Sequence, residues 1–278
     1  MRNIKGSGPS DLVTEGDGPA NEDLIAWSGN LAWVIDGATS LSARQVTNRP
    51  SDAIWLVERL SQSITERSES AASLSDILAE SIDDVATAAG SEWSGTPEVP
   101  PSAAIGMVRL RERTVDFLVL ADVSVITVTE AGAMEFCDDR VDRGNHVARS
   151  VMEEELSRSG DLQLARERVS PLLLDHRRNN MNVNGGYWVA ALDPEAADHS
   201  LRGTMECCSE VLLATDGFVR ALRPLNLYPN WESMLTPGTS LRSVADRIRK
   251  RESDDANCIA FPRWNTHDDL AAARFPLR

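Results

Sequence analysis

Apolar and polar positions alternate with two different periods along the chain, and each period predicts a type of element. Apolar residues recur at helical spacing in 52–67 and again in 73–89, so each segment is expected to form a helix with one buried face. Between 102 and 129 the pattern changes to three short apolar runs, which predict strands at 103–110, 114–120 and 123–129. Because these strands follow one another closely, they are expected to form a β-meander. Helices and strands in separate runs indicate the α+β class.

The remaining segments are less regular. Residues 1–20 are rich in Gly, Ser and Asp and are expected to form a flexible or edge segment. Residues 141–178 are rich in Arg, Glu and Leu and predict one or two exposed helices, and 241–250 predicts a further helix. Residues 263–278 are expected to form a tail outside the fold. The candidate chemistry is spread over most of the chain, so a single domain over 1–278 is favoured.

Acidic residues stand at the ends of the predicted strands. The apolar run Leu31–Ile35 stops at an Asp-Gly pair, and a second Asp-Gly pair follows the run that begins at Val211. A glycine beside an acid lets the backbone carbonyl approach whatever the acid holds, and hard divalent cations bind such carboxylate and carbonyl oxygens. These positions therefore predict either one shared cation site or a set of separate solvated turns. They are Glu22-Asp23, Asp36-Gly37, Asp122, Asp216-Gly217 and Asp254-Asp255, the last of which precedes a predicted strand at 256–261.

In this order the five motifs resemble the metal-dependent serine/threonine protein phosphatases of type 2C, in their bacterial form, over residues 20–262. The resemblance implies a four-layer α-β-β-α sandwich with two central, mainly antiparallel sheets and a metal cleft at one end. It also implies a phosphoric monoester hydrolase in which a water bridging two Mg²⁺ or Mn²⁺ ions attacks a phosphoserine or phosphothreonine, with room for a third ion.

The resemblance also assigns residues. Asp36 would bridge the two metals with the Gly37 carbonyl on one of them, and Asp216 and Asp254 would complete the other site. These three acids, Asp36, Asp216 and Asp254, are the expected catalytic residues. Glu22 or Asp23 would act directly or through water, and Asp122 would help to hold the third ion. The histidine that serves as general acid in some members is missing after Gly37, where Ala38-Thr39-Ser40 stands.

The composition of the chain bears on its binding partners and on its location in the cell. The net charge of −15 and the pI near 4.7 argue against nucleic acid or an anionic membrane as the main partner. The absence of a long apolar run and of a signal peptide predicts a cytoplasmic protein. The four cysteines lack metal-ligand spacing and are expected to be free thiols.

Several functions stay open from the sequence. The leading hypothesis is a phosphatase that acts on a phosphorylated protein. The second hypothesis is the same chemistry on a small phosphorylated metabolite, which is favoured if the segment 141–187 builds a closed pocket. The third is a non-catalytic regulatory module with the same fold. An acidic binding protein is the remaining alternative if the acids do not converge. Arg177 and Arg178 are either phosphate contacts at the cleft or solvated charges.

Overall fold

The run that ends at Asp36-Gly37 forms a central strand, and the other elements are arranged around it. The computed structural model describes residues 8–18, 20–38, 41 and 44–277, so Thr39 and Ser40 of the predicted motif lie outside the described residues. All residues of the strand except Asp36 are buried, because it lies between two neighbours in its sheet. The described residues contain ten strands: β1 Asp11–Glu15, β2 Asp23–Ser28, β3 Leu31–Gly37, β4 Ala103–Arg111, β5 Thr114–Leu120, β6 Ser124–Thr129, β7 Gly132–Phe136, β8 Leu201–Met205, β9 Glu210–Ala214 and β10 Leu270–Pro276.

These strands form two antiparallel sheets that pack face to face. The first has the order β1-β10-β9-β6-β7, and the second has the order β2-β3-β4-β5-β8. Side chains from the facing surfaces of both sheets form one apolar cluster, which includes Val34, Val119, Val125, Leu213 and Phe275. The two central sheets of the expected sandwich are therefore present.

Helices cover the outer face of each sheet. Helices α1 (Asp52–Glu66) and α2 (Leu74–Glu92) place Leu60 and Ile82 in one cluster with Trp33 of the second sheet. The first sheet is covered by α6 (Asp216–Val219), α7 (Trp231–Met234) and α8 (Leu241–Asp254), which share an apolar cluster with β9 and β10. This arrangement confirms the predicted α+β sandwich of four layers.

A helical hairpin lies outside the four layers. It consists of α3 (Arg140–Gly144), α4 (His146–Ser159) and α5 (Leu162–Asn180), and the last two share a small apolar core with Cys258, a residue beyond position 254 in the chain. The segment 141–178 thus forms helices as the composition predicts. A 3₁₀ helix, Pro194–His199, follows before β8. In the described part of the chain, we find no helix with the length and apolar character that crossing a membrane requires.

The predicted meander is wrong at its third strand. β6 pairs with β7 and β9 in the first sheet, whereas β4 and β5 pair in the second. Ala121 has a φ of 68°, in the left-handed region that non-glycine residues rarely adopt, and the chain passes from one sheet to the other at this point. Asp122 therefore lies at a crossover between the sheets and not in a hairpin turn.

The expected C-terminal tail is also wrong. β10 lies between β1 and β9, in the body of the first sheet. Its sequence contains three alanines, which have low strand propensity, yet Leu270, Ala271, Ala272 and Ala273 are fully buried there. The strand predicted at 256–261 is instead a series of turns after α8.

Candidate metal centre

The pairing of β2 with β3 brings the first two acidic motifs together. Asp23 and Asp36 are direct partners in the antiparallel register. The Gly37 N–H donates to the Glu22 carbonyl at 3.1 Å, and a Cβ on Gly37 would lie 2.8 Å from that oxygen. Only glycine therefore allows this close approach of the two chains beside Asp36.

The second Asp-Gly motif joins them from the other sheet. The Thr215 hydroxyl, which is fully buried, donates to Asp23 Oδ2 at 2.7 Å and accepts from the Ala271 N–H at 2.9 Å. This bond connects β9 of one sheet to β2 of the other, next to Asp216. A Cβ on Gly217 would lie 1.9 Å from the Asp269 carbonyl oxygen, so Gly217 lets α6 begin directly against the segment before β10.

The fourth acid of the cluster comes from a segment that sequence reasoning missed. Asp268 forms an ion pair with Arg220 and adds to the repulsion that acts on Asp23 and Asp36. Its neighbour Asp269 accepts from the N–H of Asp17 at 2.7 Å and of Glu22 at 2.5 Å. The sequence signal is an acid pair that precedes a strand, the same signal that led to 254–261, but here the strand is the alanine-rich β10.

This placement corrects the expectation for Asp254. That residue is exposed on the last turn of α8, and it lines neither of the cavities beside the acidic cluster. The adjacent Asp255 accepts from the N–H groups of Ile259, Ala260 and Phe261 and pairs with Arg263 at 2.7 Å. The acid pair 254–255 therefore organises the loop after α8 and does not reach the cluster.

The carboxyl groups at the cluster act on one another. Burial, followed by repulsion from neighbouring acids, raises the pKa of Asp23 and of Asp36 well above the usual range. The Asp216 side chain meets the solvent of the cleft but is enclosed by protein on its other sides. This enclosure raises its pKa to about 6, as it does for Asp122, and the pKa of Asp268 rises to about 7. The acids therefore converge in space, and separate solvated turns do not describe them.

Oxygen donors of this kind fit a hard divalent cation. Within the described ranges, no three His, Cys, Asp or Glu side chains already converge as ligands of a single ion. Mg²⁺ keeps several waters and takes only one or two carboxylates, so it does not require three protein side chains as ligands. A divalent cation would also remove the repulsion that raises these pKa values.

A cavity of about 250 Å³ opens in front of the acids. Asp36, Asp216 and Asp268 line it together with residues of α5, which include Arg166 and Arg177. A second cavity of about 250 Å³ adjoins it beyond the acids. The residues that line both are Asp122, Asp142, Asp216 and Trp264.

Arg177 and Arg178 have different surroundings. Arg177 is half-buried at the cavity, and burial lowers its pKa while Asp122 and Glu22 act to raise it. Arg178 is exposed and pairs with Glu98. Only Arg177 therefore lies where it can contact a group bound in front of the acids.

Comparison of the whole architecture with solved structures finds the same fold in bacterial phosphatases. The serine/threonine phosphatase Stp1 from Staphylococcus aureus superposes with a TM-score of 0.56 at 12% identity, covering 100% of this chain and 99% of Stp1. The chain has the fold of the bacterial PPM phosphatases. The PPM fold recurs in the phosphatase MsPP from Mycobacterium smegmatis, solved with cacodylate, with a TM-score of 0.53 at 13% identity over 98% of this chain and 100% of MsPP.

A third PPM-fold structure carries metal. The catalytic domain of the serine/threonine phosphatase PstP, solved with two manganese ions, gives a TM-score of 0.54 at 10% identity, covering 96% of this chain and 97% of that domain. No protein-family model matches the sequence of this chain, and no curated protein matches it significantly. The likeness therefore lies in the PPM fold and not in the sequence as a whole.

Proposed function

We propose that this chain is a metal-dependent phosphatase that hydrolyses phosphoserine or phosphothreonine in proteins. The observation that carries the proposal is the convergence of four acids from four separate segments: Asp36, Asp216 and Asp268 line one cavity, and Asp23 is the direct strand partner of Asp36. Burial raises the pKa of each of these acids and repulsion from neighbouring carboxyl groups adds to it, an arrangement that favours cation binding. The shared fold with phosphatases, one of them solved with two manganese ions, agrees with this function.

The proposed ligand set keeps the residues that the resemblance assigns, except that Asp268 replaces Asp254. Asp36 and the carbonyl of Gly37 would hold the cations together with Asp216, and Asp268 takes the role expected for Asp254. Glu22 or Asp23 would act directly or through water, and Asp122, at the crossover between the sheets, would hold a third ion. Carboxylate and carbonyl oxygens favour Mg²⁺ or Mn²⁺ over zinc. When bound, the cations would supply an activated water and neutralise charge on the phosphoryl group.

The shape of the site favours a protein substrate. The helical hairpin walls the cavity on one side, yet the space continues past Asp122 and Asp216 into the second cavity. An extended polypeptide has groups on both sides of its phosphoryl group and can occupy both spaces, whereas a small metabolite would fill one. Arg177 lines the same cavity as the acids and is suited to bind phosphoryl oxygens. The four cysteines are free, which agrees with a cytoplasmic protein.

Hydrolysis of an aryl phosphate with and without Mn²⁺ tests the chemistry. We expect activity that requires the metal and falls to background in Asp216→Asn. The matched control is Asp254→Asn, which removes an exposed acid apart from the cavity and should retain wild-type activity. Absence of Mn²⁺-dependent hydrolysis in the wild type would refute the proposed function, and loss of activity in Asp254→Asn would refute the ligand set.

A second measurement tests the substrate class. Phosphopeptides that extend on both sides of a phosphoserine should have a higher kcat/KM than phosphoserine alone, because only the longer substrate fills both cavities. Equal kcat/KM values for the peptide and the free amino acid would favour the small-metabolite alternative.

A further inference from the structure

A buried arginine lies next to the acidic cluster. Arg220 follows Asp216 by one helical turn at the end of α6, and only 6% of its surface is exposed. Its guanidinium is shared between two carboxylates: Nη1 donates to Glu252 Oε1 at 2.7 Å, and Nη2 donates to Asp268 Oδ2. A cation therefore lies next to Asp268, and it also lines the second cavity.

Glu252 fixes the position of this arginine. The side chain of Glu252 is fully buried on α8, and its second oxygen accepts from Arg249 Nη1 at 2.9 Å and contacts His267 Nδ1 at 3.0 Å. The backbone carbonyl of the same residue accepts from Arg263 at 3.1 Å. Because these partners fix the carboxylate of Glu252, the guanidinium of Arg220 is held in one orientation.

The orientation of the Arg220 guanidinium determines how many carboxylate oxygens of Asp268 are left for another partner. Only Oδ2 of that carboxylate is bonded to Arg220. The other oxygen, Oδ1, is not bonded to the arginine and belongs to a residue that lines the cavity beside Asp36 and Asp216. If Glu252 did not engage Nη1, both nitrogens of the guanidinium could bind Asp268 in the usual bidentate manner, and both carboxylate oxygens would be taken.

We propose that Arg220 is a positioning residue, anchored by Glu252, that holds Asp268 by one oxygen and leaves the other for a divalent cation. This inference rests on the proposed function, because it assigns Asp268 a role toward the metal. Partners that orient a ligand in this way contribute substantially to metal affinity, and their loss typically weakens it about ten- to a hundredfold.

Titration with Mn²⁺, followed by calorimetry, tests the inference without any measurement of activity. In Arg220→Met the Mn²⁺ dissociation constant should rise about ten- to a hundredfold, since Asp268 loses its fixed orientation. Arg220→Lys retains the positive charge but not the two-pronged fork, so its affinity should fall as well. The matched control is Arg249→Met, which removes another partner of Glu252 and leaves the bond between Arg220 and Asp268 in place. This control should bind Mn²⁺ as the wild type does.

The possible outcomes separate the inference from the proposed function. Wild-type affinity in Arg220→Lys would show that charge alone suffices and would overturn the positioning role. Tighter binding by Arg220→Met would show that the arginine competes with the metal, which also overturns it. If Arg220→Met does not fold, Arg220→Lys decides the question, because it keeps a cation between the two carboxylates. Absence of Mn²⁺ binding by the wild type would instead refute the proposed function and the inference with it.

Discussion

Replacement of Thr215 by valine should destabilise the protein strongly although the two side chains have nearly the same shape. The hydroxyl of Thr215 is fully buried, and its two hydrogen bonds connect Asp23 with the N–H of Ala271. Loss of a bond to a carboxyl group costs about 1–3 kcal/mol, and a buried N–H without a partner costs about 1–3 kcal/mol. The sum at the middle of these ranges is about 4 kcal/mol. For a chain of this size that loss lowers Tm by about 8–12 °C.

Thermal and urea denaturation of the metal-free protein measure this loss. The matched control is Thr215→Ser, which keeps the hydroxyl and removes one methyl group, and it should lose only about 1 kcal/mol. The double variant Thr215→Val with Asp23→Asn should lose less than the sum of the two single variants, because the two groups share one bond. The reasoning is refuted if Thr215→Val is no less stable than Thr215→Ser, or if the double variant is strictly additive.

Three further predictions concern the cavity and the cluster. Arg177→Met should raise KM for a phosphopeptide severalfold, whereas Arg178→Met, which removes an exposed charge, should leave KM unchanged; equal effects would contradict the assignment of the cavity wall. Gly217→Ala should lower Tm and weaken Mn²⁺ binding, because its Cβ would lie 1.9 Å from the Asp269 carbonyl oxygen; unaltered calorimetric titration would argue against that contact. The metal-free protein should lose stability as the pH rises through the window between the unfolded pKa of Asp268, about 3.9, and its folded pKa of about 7. The native state binds the extra proton in that window, so stability falls as the proton leaves; urea denaturation across the window should show this slope, and a flat profile would contradict it.

The strongly patterned parts of the chain could be predicted from the sequence. A long apolar run that stops at Asp36-Gly37 has few alternatives to a buried strand, and α1 and α2 follow from helical spacing with serine caps at Ser51 and Ser73. The fold class also followed from the order of the elements together with the acidic motifs.

The parts that were missed depend on tertiary context. β10 contains alanines that have little tendency to form a strand, and its neighbours β1 and β9 impose the conformation. The same error hid Asp268, to which we assign the role that the sequence analysis expected for Asp254. The crossover at Ala121 requires a left-handed residue that the sequence does not signal. Arg177 and Arg178 are adjacent in sequence, and only the rotation of α5 distinguishes the one at the cavity from the one at the surface.

The position of β10 has a consequence for how the protein is made. This strand is near the end of the chain, yet it separates β1 from β9, and Asp269 just before it binds the backbone of Asp17 and Glu22. During synthesis the first sheet cannot close around β1 until residues beyond 270 have emerged from the ribosome, and contacts between such distant segments form slowly. A chain that stopped before residue 268 would contain Asp23, Asp36 and Asp216 but would lack Asp268 and the strand that lies between β1 and β9. Incomplete translation should therefore yield no partly assembled acidic cluster that binds Mn²⁺.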